Sequence, residues 1–370
     1  MEIQIDMTNT SEKIDIEKAK KTAEHVLDVL GGAVVSGMIY LGDRMGLYQA
    51  LDGGGAMTSE DLARKTGLHE RWIREWLYGQ AAAGLVDYKG EGRFELSPES
   101  ALVLANENSP FFLAGGFCAL PQQMAVLNLL PESFKSGMGL TYDQLGPEVN
   151  RGVERLLAPW FRTQLVPNAL PKLDGVVPKL QAGAKVADVG CGAGVALIEM
   201  AKAYPRSDFH GYDIGKIPLA RASENAQQAG VKNITFHNAS VDPLAGDASH
   251  DFITTFDCLH DMTRPDLVMK AIRKAIKNDG TWLIADVHGQ PTFEQNLKDN
   301  PLAPVMYGFS VLCCMSSALS EPGGLGLGTL GLPEPVARKM TAEAGSRASQ
   351  REISRIRSTR ITRCVRSDCW

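Results

Sequence analysis

The sequence lacks any cysteine or histidine spacing that would hold a metal. Its seven cysteines are scattered, and the adjacent pair Cys313-Cys314 cannot form a C-x-x-C site. Zinc-ribbon and disulfide-scaffold classes are therefore excluded, and no metal is expected. Reduced thiols and a cytoplasmic location are expected instead. Excess positive charge is also missing. A net charge of −5 argues against general nucleic-acid binding. The opening segment, Met1 to Lys13, is polar, so no secretory leader is expected. Two uncharged runs, 111–130 and 301–320, are long enough for a membrane span. The first holds Pro121, Gln122, Gln123 and Asn128, and the second holds two prolines and four serines. Both suit buried helices that line a ligand better than membrane spans.

What is present is a strand, turn and helix pattern. At 370 residues, 44% apolar and 22% charged, the chain allows two or three globular domains. Val186 to Val189 reads as an apolar strand running into Gly190-Cys191-Gly192-Ala193-Gly194, and Val195 to Tyr204 reads as a helix. Asp208 to Tyr212 reads as a second strand, with Asp213 at its end. Further strands are predicted at 233–238, 251–256 and 280–287, with helices at 217–229 and 265–277 between them. Alternating strands and helices imply a parallel sheet with a ligand crevice at the carboxyl ends of its strands. Asp188, Asp213, Asp242 and Asp257 all fall near such ends.

The turn identifies the class of ligand. A dinucleotide site has G-x-G-x-x-G tuned to a pyrophosphate. Here the spacing is Asp188-x-Gly190-x-Gly192-x-Gly194. A carboxylate before the turn repels a pyrophosphate and suits a cation. S-adenosylmethionine carries a sulfonium and an ammonium and no phosphate. The pattern resembles motif I of class I S-adenosylmethionine-dependent methyltransferases. Asp188, Gly190, Cys191, Gly192 and Gly194 are then expected around the methionine part, and Asp213 on the ribose hydroxyls. Ser240, Val241 and Asp242 are expected beside the adenine, and Asp257 on the far side of the cofactor.

Towards the N-terminus, residues 15–51 carry helical apolar periodicity. Thr58 to Lys65, a turn at Gly67, a helix over 69–83 and a hairpin over 85–96 make a winged helix. Its second helix carries Arg71 and Arg74 but also Glu70, Glu75, Trp72 and Trp76. That balance suits packing better than a DNA groove. Plant-type O-methyltransferases have a similar domain that dimerises, so the resemblance implies a homodimer. The expected fold is α/β, a Rossmann-like class I methyltransferase domain with an N-terminal helical winged-helix domain. The expected boundaries are 1–165 for the helical and winged-helix domain and 166–345 for the methyltransferase domain. An insertion at 288–333 serves as a lid or substrate wall. Its glycine-rich run, Pro322 to Leu332, has no Gly-Lys-Ser/Thr and so is no phosphate loop.

Phe256-Asp257-Cys258-Leu259-His260-Asp261-Met262 is similar to the Leu-His-Asp segment of plant-type O-methyltransferases. The resemblance implies that His260 is a general base for a hydroxyl acceptor. Asp261 is its neighbour, and Asp286 is an acid that aids it. His288 is a second candidate to face the acceptor. The expected activity is methyl transfer from S-adenosylmethionine to a small molecule, without nucleic-acid or membrane partners. The alternatives are a winged-helix regulator that senses the cofactor, or an inactive pseudoenzyme.

Residues 346–370 have a different composition, with seven arginines, no lysine and two acids. Codons for 346–366 can be chosen so that the neighbouring frame reads as an aromatic, strand-like pattern. A frameshift is the expected origin of this tail.

Overall fold

The computed structural model describes residues 14–345, so the proposed frameshift tail lies outside the described residues. The chain divides into two compact units, 1–101 and 102–370.

The first unit opens with a helix, Ile16–Arg44, capped by the Asp15 side chain on the Lys18 N–H. Among the described residues it is the one helix long and apolar enough to cross a membrane, by length and composition. A short helix, Leu47–Leu51, follows. Strand β1 (Met57–Thr58) leads into the Ser59–Thr66 helix, whose start is a capping box between Thr58 and Asp61. The Glu70–Ala82 helix comes next, then strands β2 (Asp87–Gly90) and β3 (Arg93–Glu95). The three strands form one antiparallel sheet in the order β1-β3-β2. This is the expected winged helix, with β1 as an additional strand. Trp76 is buried and donates its indole N–H to the Met38 carbonyl at 2.9 Å. Trp72 instead is 80% exposed, so only one of the two tryptophans packs. Arg71 and Arg74 pair with Glu75 and Glu70 on their own helix.

The second unit is built on five parallel strands in the order β6-β5-β4-β7-β8. They are β4 (Lys185–Val189), β5 (Asp208–Asp213), β6 (Ile234–Asn238), β7 (His250–Phe256) and β8 (Ile276–Ala285). Helices Val195–Ala203, Lys216–Ala229 and Pro265–Ala275 connect them. The order reverses at β4, so β4 pairs with both β5 and β7. Central strands read as apolar runs because helices cover both faces. Val186, Ala187, Phe252 and Ile253 are accordingly buried, while edge strand β6 has no buried residue. All five expected strands are present, and β8 starts four residues before the expected 280.

The units divide at residue 101, earlier than the boundary at 165 read from the sequence. The reason is packing. The Pro147–Trp160 helix contacts the Val195–Ala203 and Lys216–Ala229 helices of the parallel-sheet unit. Glu154 also accepts from Arg221 at 3.1 Å and from Asn225 at 2.9 Å. The uncharged run at 301–320 becomes a mostly helical segment, with Ser316, Ser317 and Ala318 buried. Leu140 donates its N–H to Ser316 Oγ, and Gly139 donates to the Leu319 carbonyl, both at 2.9 Å.

A Cβ at Gly139 would stand 1.8 Å from the Ser316 carbonyl oxygen. Backbone cannot yield that distance cheaply. Gly139→Ala is expected to lose at least about 2 kcal/mol of stability in a denaturant titration. Gly308→Ala is the control. Nothing lies within 4 Å of its added methyl, and it sits in the Ala303–Phe309 helix. It is expected to be neutral or stabilising by up to about 1 kcal/mol.

Candidate active site

The site begins at the switch in strand order. Gly190 has φ of +77°, and a Cβ there would meet Cys258 Sγ at 2.7 Å. Only glycine meets both demands. Its N–H and that of Cys191 both donate to the Tyr212 carbonyl, at 2.8 and 3.0 Å, which ties the turn to β5. Gly192, with φ of +52°, has nothing within 4 Å of where its Cβ would lie. A ligand can therefore approach the backbone there. Gly194 caps the Val195–Ala203 helix. The Cys191 side chain is buried in the main core, with its thiol against the Gly192 carbonyl.

Two carboxylates flank this turn. Asp213 Oδ2 accepts from the Gly192 N–H at 3.0 Å, and Oδ1 accepts from Gly215 at 2.8 Å. Each oxygen keeps a further lone pair for a hydroxyl donor. Burial raises the Asp213 carboxyl, and these N–H bonds hold it down. Asp188 is buried and accepts from Thr254 Oγ1 at 2.7 Å. Burial pushes its carboxyl up to about 7, against the Thr254 bond and with help from the field of Asp213. Thr254 lies on β7, 66 residues from Asp188, and nothing in the local sequence marks it as this partner.

The third predicted patch is more open. Ala239 donates its N–H to the Asp213 carbonyl at 2.9 Å, which sets the end of β6 beside Asp213. Ser240 and Asp242 are exposed there, and Val241 is 81% exposed. Asp242 Oδ2 lies 2.6 Å from His237 Nδ1, and His237 stacks on Tyr212 at 4.6 Å.

After β7 the chain makes a strained turn. Asp257 has φ of +51°, unusual for a residue with a side chain. Such backbone costs about 1–3 kcal/mol and is held only by its surroundings. Here the Asp257 N–H donates to the Ala285 carbonyl at 2.7 Å. The preceding Phe256 is clamped by Phe161 and Trp160, with ring centroids 5.1 and 6.2 Å away.

That turn delivers His260 to Asp286, which stands just past β8. His260 Nδ1 is 2.5 Å from Asp286 Oδ1, and the two side chains are 3% and 1% exposed. Burial disfavours the imidazolium, but the Asp286 carboxylate outweighs it and raises the His260 pKa well above its usual value. Asp286 Oδ1 also accepts the Val287 N–H at 2.8 Å. Asp261 turns elsewhere and accepts from Tyr142 Oη at 2.5 Å. Burial lifts the Asp261 carboxyl to about 7. Burial lifts Asp257 to about 6, with His260 opposing and Asp286 reinforcing. Cys314 also hydrogen-bonds His260. Tyr142 and Cys314 are 119 residues and 54 residues from their partners' segment, and no sequence signal points to either. The glycine-rich run closes over this segment. Gly328 donates its N–H to the His260 carbonyl at 3.1 Å, and Leu325 donates to Thr263 at 2.9 Å. His288 is half-buried just beyond.

Parts of the chain are similar to known proteins. Residues 180–318 match a methyltransferase domain family, and residues 33–106 match an Rv2258c-like winged HTH domain. The ubiquinone biosynthesis O-methyltransferase of Acinetobacter baumannii is 32% identical over 112 residues, which are 30% of this chain and 46% of that protein. Its counterpart in Paracidovorax citrulli is 33% identical over 122 residues, 32% of this chain and 49% of that protein. The chain thus spans about half the length of the curated relatives it matches. Among solved structures, a putative O-methyltransferase from Nostoc punctiforme superposes with a TM-score of 0.66 at 19% identity, covering 88% of this chain and 94% of that one. Human N-acetylserotonin methyltransferase, solved with SAM, superposes with a TM-score of 0.62 at 15% identity, covering 91% and 94%. The resemblance to these two structures is one of fold. The chain is thus similar over residues 33–106 to an Rv2258c-like winged HTH domain and over residues 180–318 to a methyltransferase domain, and it shares the fold of these solved structures.

Proposed function

We propose that the protein transfers a methyl group from S-adenosylmethionine to the hydroxyl oxygen of a small molecule. One observation carries this reading. An open glycine turn without phosphate-binding features is flanked by two shielded carboxylates at the carboxyl ends of β4 and β5. The residues fit the cofactor. Asp188 and the glycine turn would hold its charged methionine part, Asp213 its ribose, and the segment 240–242 its adenine. Asp257 would lie on the far side. The cofactor supplies an activated methyl group. The relatives named as O-methyltransferases, together with His260, favour oxygen as the acceptor atom.

In its neutral form, His260 would take the acceptor's proton at the ring nitrogen other than Nδ1, because Asp286 engages Nδ1. Asp286 orients the ring and stabilises its charged form. Asp261, held by Tyr142, fixes the backbone segment that carries His260. Water is kept out by the glycine-rich run, which binds the His260 carbonyl. The ion pairs on Arg71 and Arg74 support a packing role for the winged helix over a DNA groove. A second copy of the chain is the proposed cover for the Ile16–Arg44 helix. Its Val26, Leu27, Leu30 and Val34 are about 60% exposed on one apolar surface. A cytoplasmic location suits the free cysteines.

Calorimetric titration with S-adenosylmethionine tests the cofactor. Saturable binding to the unmutated chain is expected, weakened about 10–150-fold in Asp213→Ala, the loss of a charged hydrogen bond. The affinity should also depend on pH. A cation is held by the Asp188 carboxylate and not by its acid, so binding should weaken as pH falls through about 7. The decline should be no steeper than about tenfold per unit, and it should flatten in Asp188→Asn. Absence of binding to a folded chain would exclude the reading.

With an acceptor found by screening hydroxyl compounds for S-adenosylhomocysteine release, His260→Gln should lower kcat about 10²–10⁴-fold while leaving cofactor affinity within a few-fold. Full activity in that variant would remove the base role. For the second copy, light scattering should give a dimer mass. Leu27→Asp with Leu30→Asp should give a monomer, and an unchanged mass would place the interface elsewhere.

A further inference from the structure

Two peptide groups of the glycine turn are fixed by hydrogen bonds. In the one between Cys191 and Gly192, the carbonyl accepts the Gly194 N–H at 2.9 Å and the Gly192 N–H donates to Asp213. In the one between Ala193 and Gly194, the N–H makes that same bond, and the Ala193 carbonyl accepts from Asn225 Nδ2 at 3.0 Å. The peptide joining Gly192 to Ala193 is suspended between them, beside the open position at Gly192. The Asn225 bond comes from outside the turn, from the Lys216–Ala229 helix, 32 residues along the chain.

A side-chain amide carries two N–H groups. Asn225 Nδ2 also donates to Glu154 Oε1, at 2.9 Å. Glu154 Oε2 in turn accepts from Arg221 Nε at 3.1 Å, and the Glu154 side chain is 10% exposed. A donor group held at one N–H has its other N–H aimed, so Glu154 directs Asn225 at the turn. The Glu154 helix, Pro147–Trp160, ends in the Trp160 that packs on Phe256. One helix thus reaches both the glycine turn and the strand that leads into Asp257.

We propose that Asn225, braced by Glu154, is a positioning residue for the methionine part of the cofactor. It acts through the Ala193 carbonyl, which sets the plane of the peptide beside Gly192. The role rests on the methyl-transfer reading. Local sequence hides it, because Glu154 lies 71 residues from Asn225.

The test compares two ligands, S-adenosylmethionine and adenosine, titrated calorimetrically into the full chain. Adenosine has the ribose and the adenine but no methionine part. Asn225→Leu removes both donors and should weaken S-adenosylmethionine about 5–15-fold, the loss of one hydrogen bond. Adenosine affinity should stay within about twofold, since its contacts lie away from Ala193. Glu154→Leu should weaken S-adenosylmethionine in the same direction, and Glu154→Gln, which keeps a side-chain oxygen for Asn225, should restore most of the affinity. The double variant Asn225→Leu with Glu154→Leu should be no weaker than Asn225→Leu alone, because the acid acts through the amide. Thermal melts establish that each variant is folded, and Asn225→Ala replaces Asn225→Leu if that one is not. Unchanged S-adenosylmethionine affinity in Asn225→Leu overturns the role. So does an equal loss for adenosine, which would mark a general distortion of the site. Additive losses in the double variant overturn the brace by Glu154. A folded, unmutated chain that binds neither ligand removes the cofactor reading, and this role with it.

Discussion

Carboxylates withdrawn from water at the carboxyl ends of parallel strands are the constraint around which this chain is arranged. Asp188, Asp213, Asp257, Asp261 and Asp286 converge at that edge of one sheet, and the carboxyls of Asp188, Asp257 and Asp261 are driven up to near neutrality by burial. A protein tolerates such groups only when donors or countercharges answer them. Thr254 answers Asp188, backbone N–H groups answer Asp213, Tyr142 answers Asp261, and His260 answers Asp286. The remaining demand is for positive charge, which is what a sulfonium brings.

The scaffold exists to hold these acids apart from water and close to one another. Parallel pairing of β4 with β5 and β7 sets Asp188, Asp213 and Thr254 in neighbouring rows. The aromatic clamp of Phe161 and Trp160 on Phe256 steadies the strand that ends in the strained Asp257. The segment 301–332, spent on glycines, serines and cysteines, closes over His260. Its glycines are needed because backbone meets backbone there. A Cβ at Gly324 would lie 2.2 Å from the Ala318 carbonyl oxygen. The glycine-rich run is, in the folded chain, closely packed backbone.

Much of the fold was legible because its signals are local. Strand-like runs alternating with helical ones marked all five parallel strands, and Thr58 with Asp61 marked the start of a helix in the winged domain. The turn of Gly190, Gly192 and Gly194 was marked by spacing alone, and all three adopt the positive φ that such a turn requires. Other expectations depended on contacts that no local pattern encodes. Cys191 belongs to the motif by position, yet its thiol is in the core. Trp72 and Trp76 looked equivalent, and only Trp76 packs. Residues 102–165 read as part of the helical N-terminal domain, but ion pairs such as Arg221 with Glu154 attach them to the parallel-sheet unit.

By itself the sequence determined the alternation of strands and helices, the glycine turn and the four acids at strand ends, since periodicity and turn chemistry act over a few residues. Only the tertiary structure decided which acids lose water, which partners they find and how Asp286 reaches His260. Those outcomes follow from strand order and register, which bring together groups separated by 21 to 119 residues.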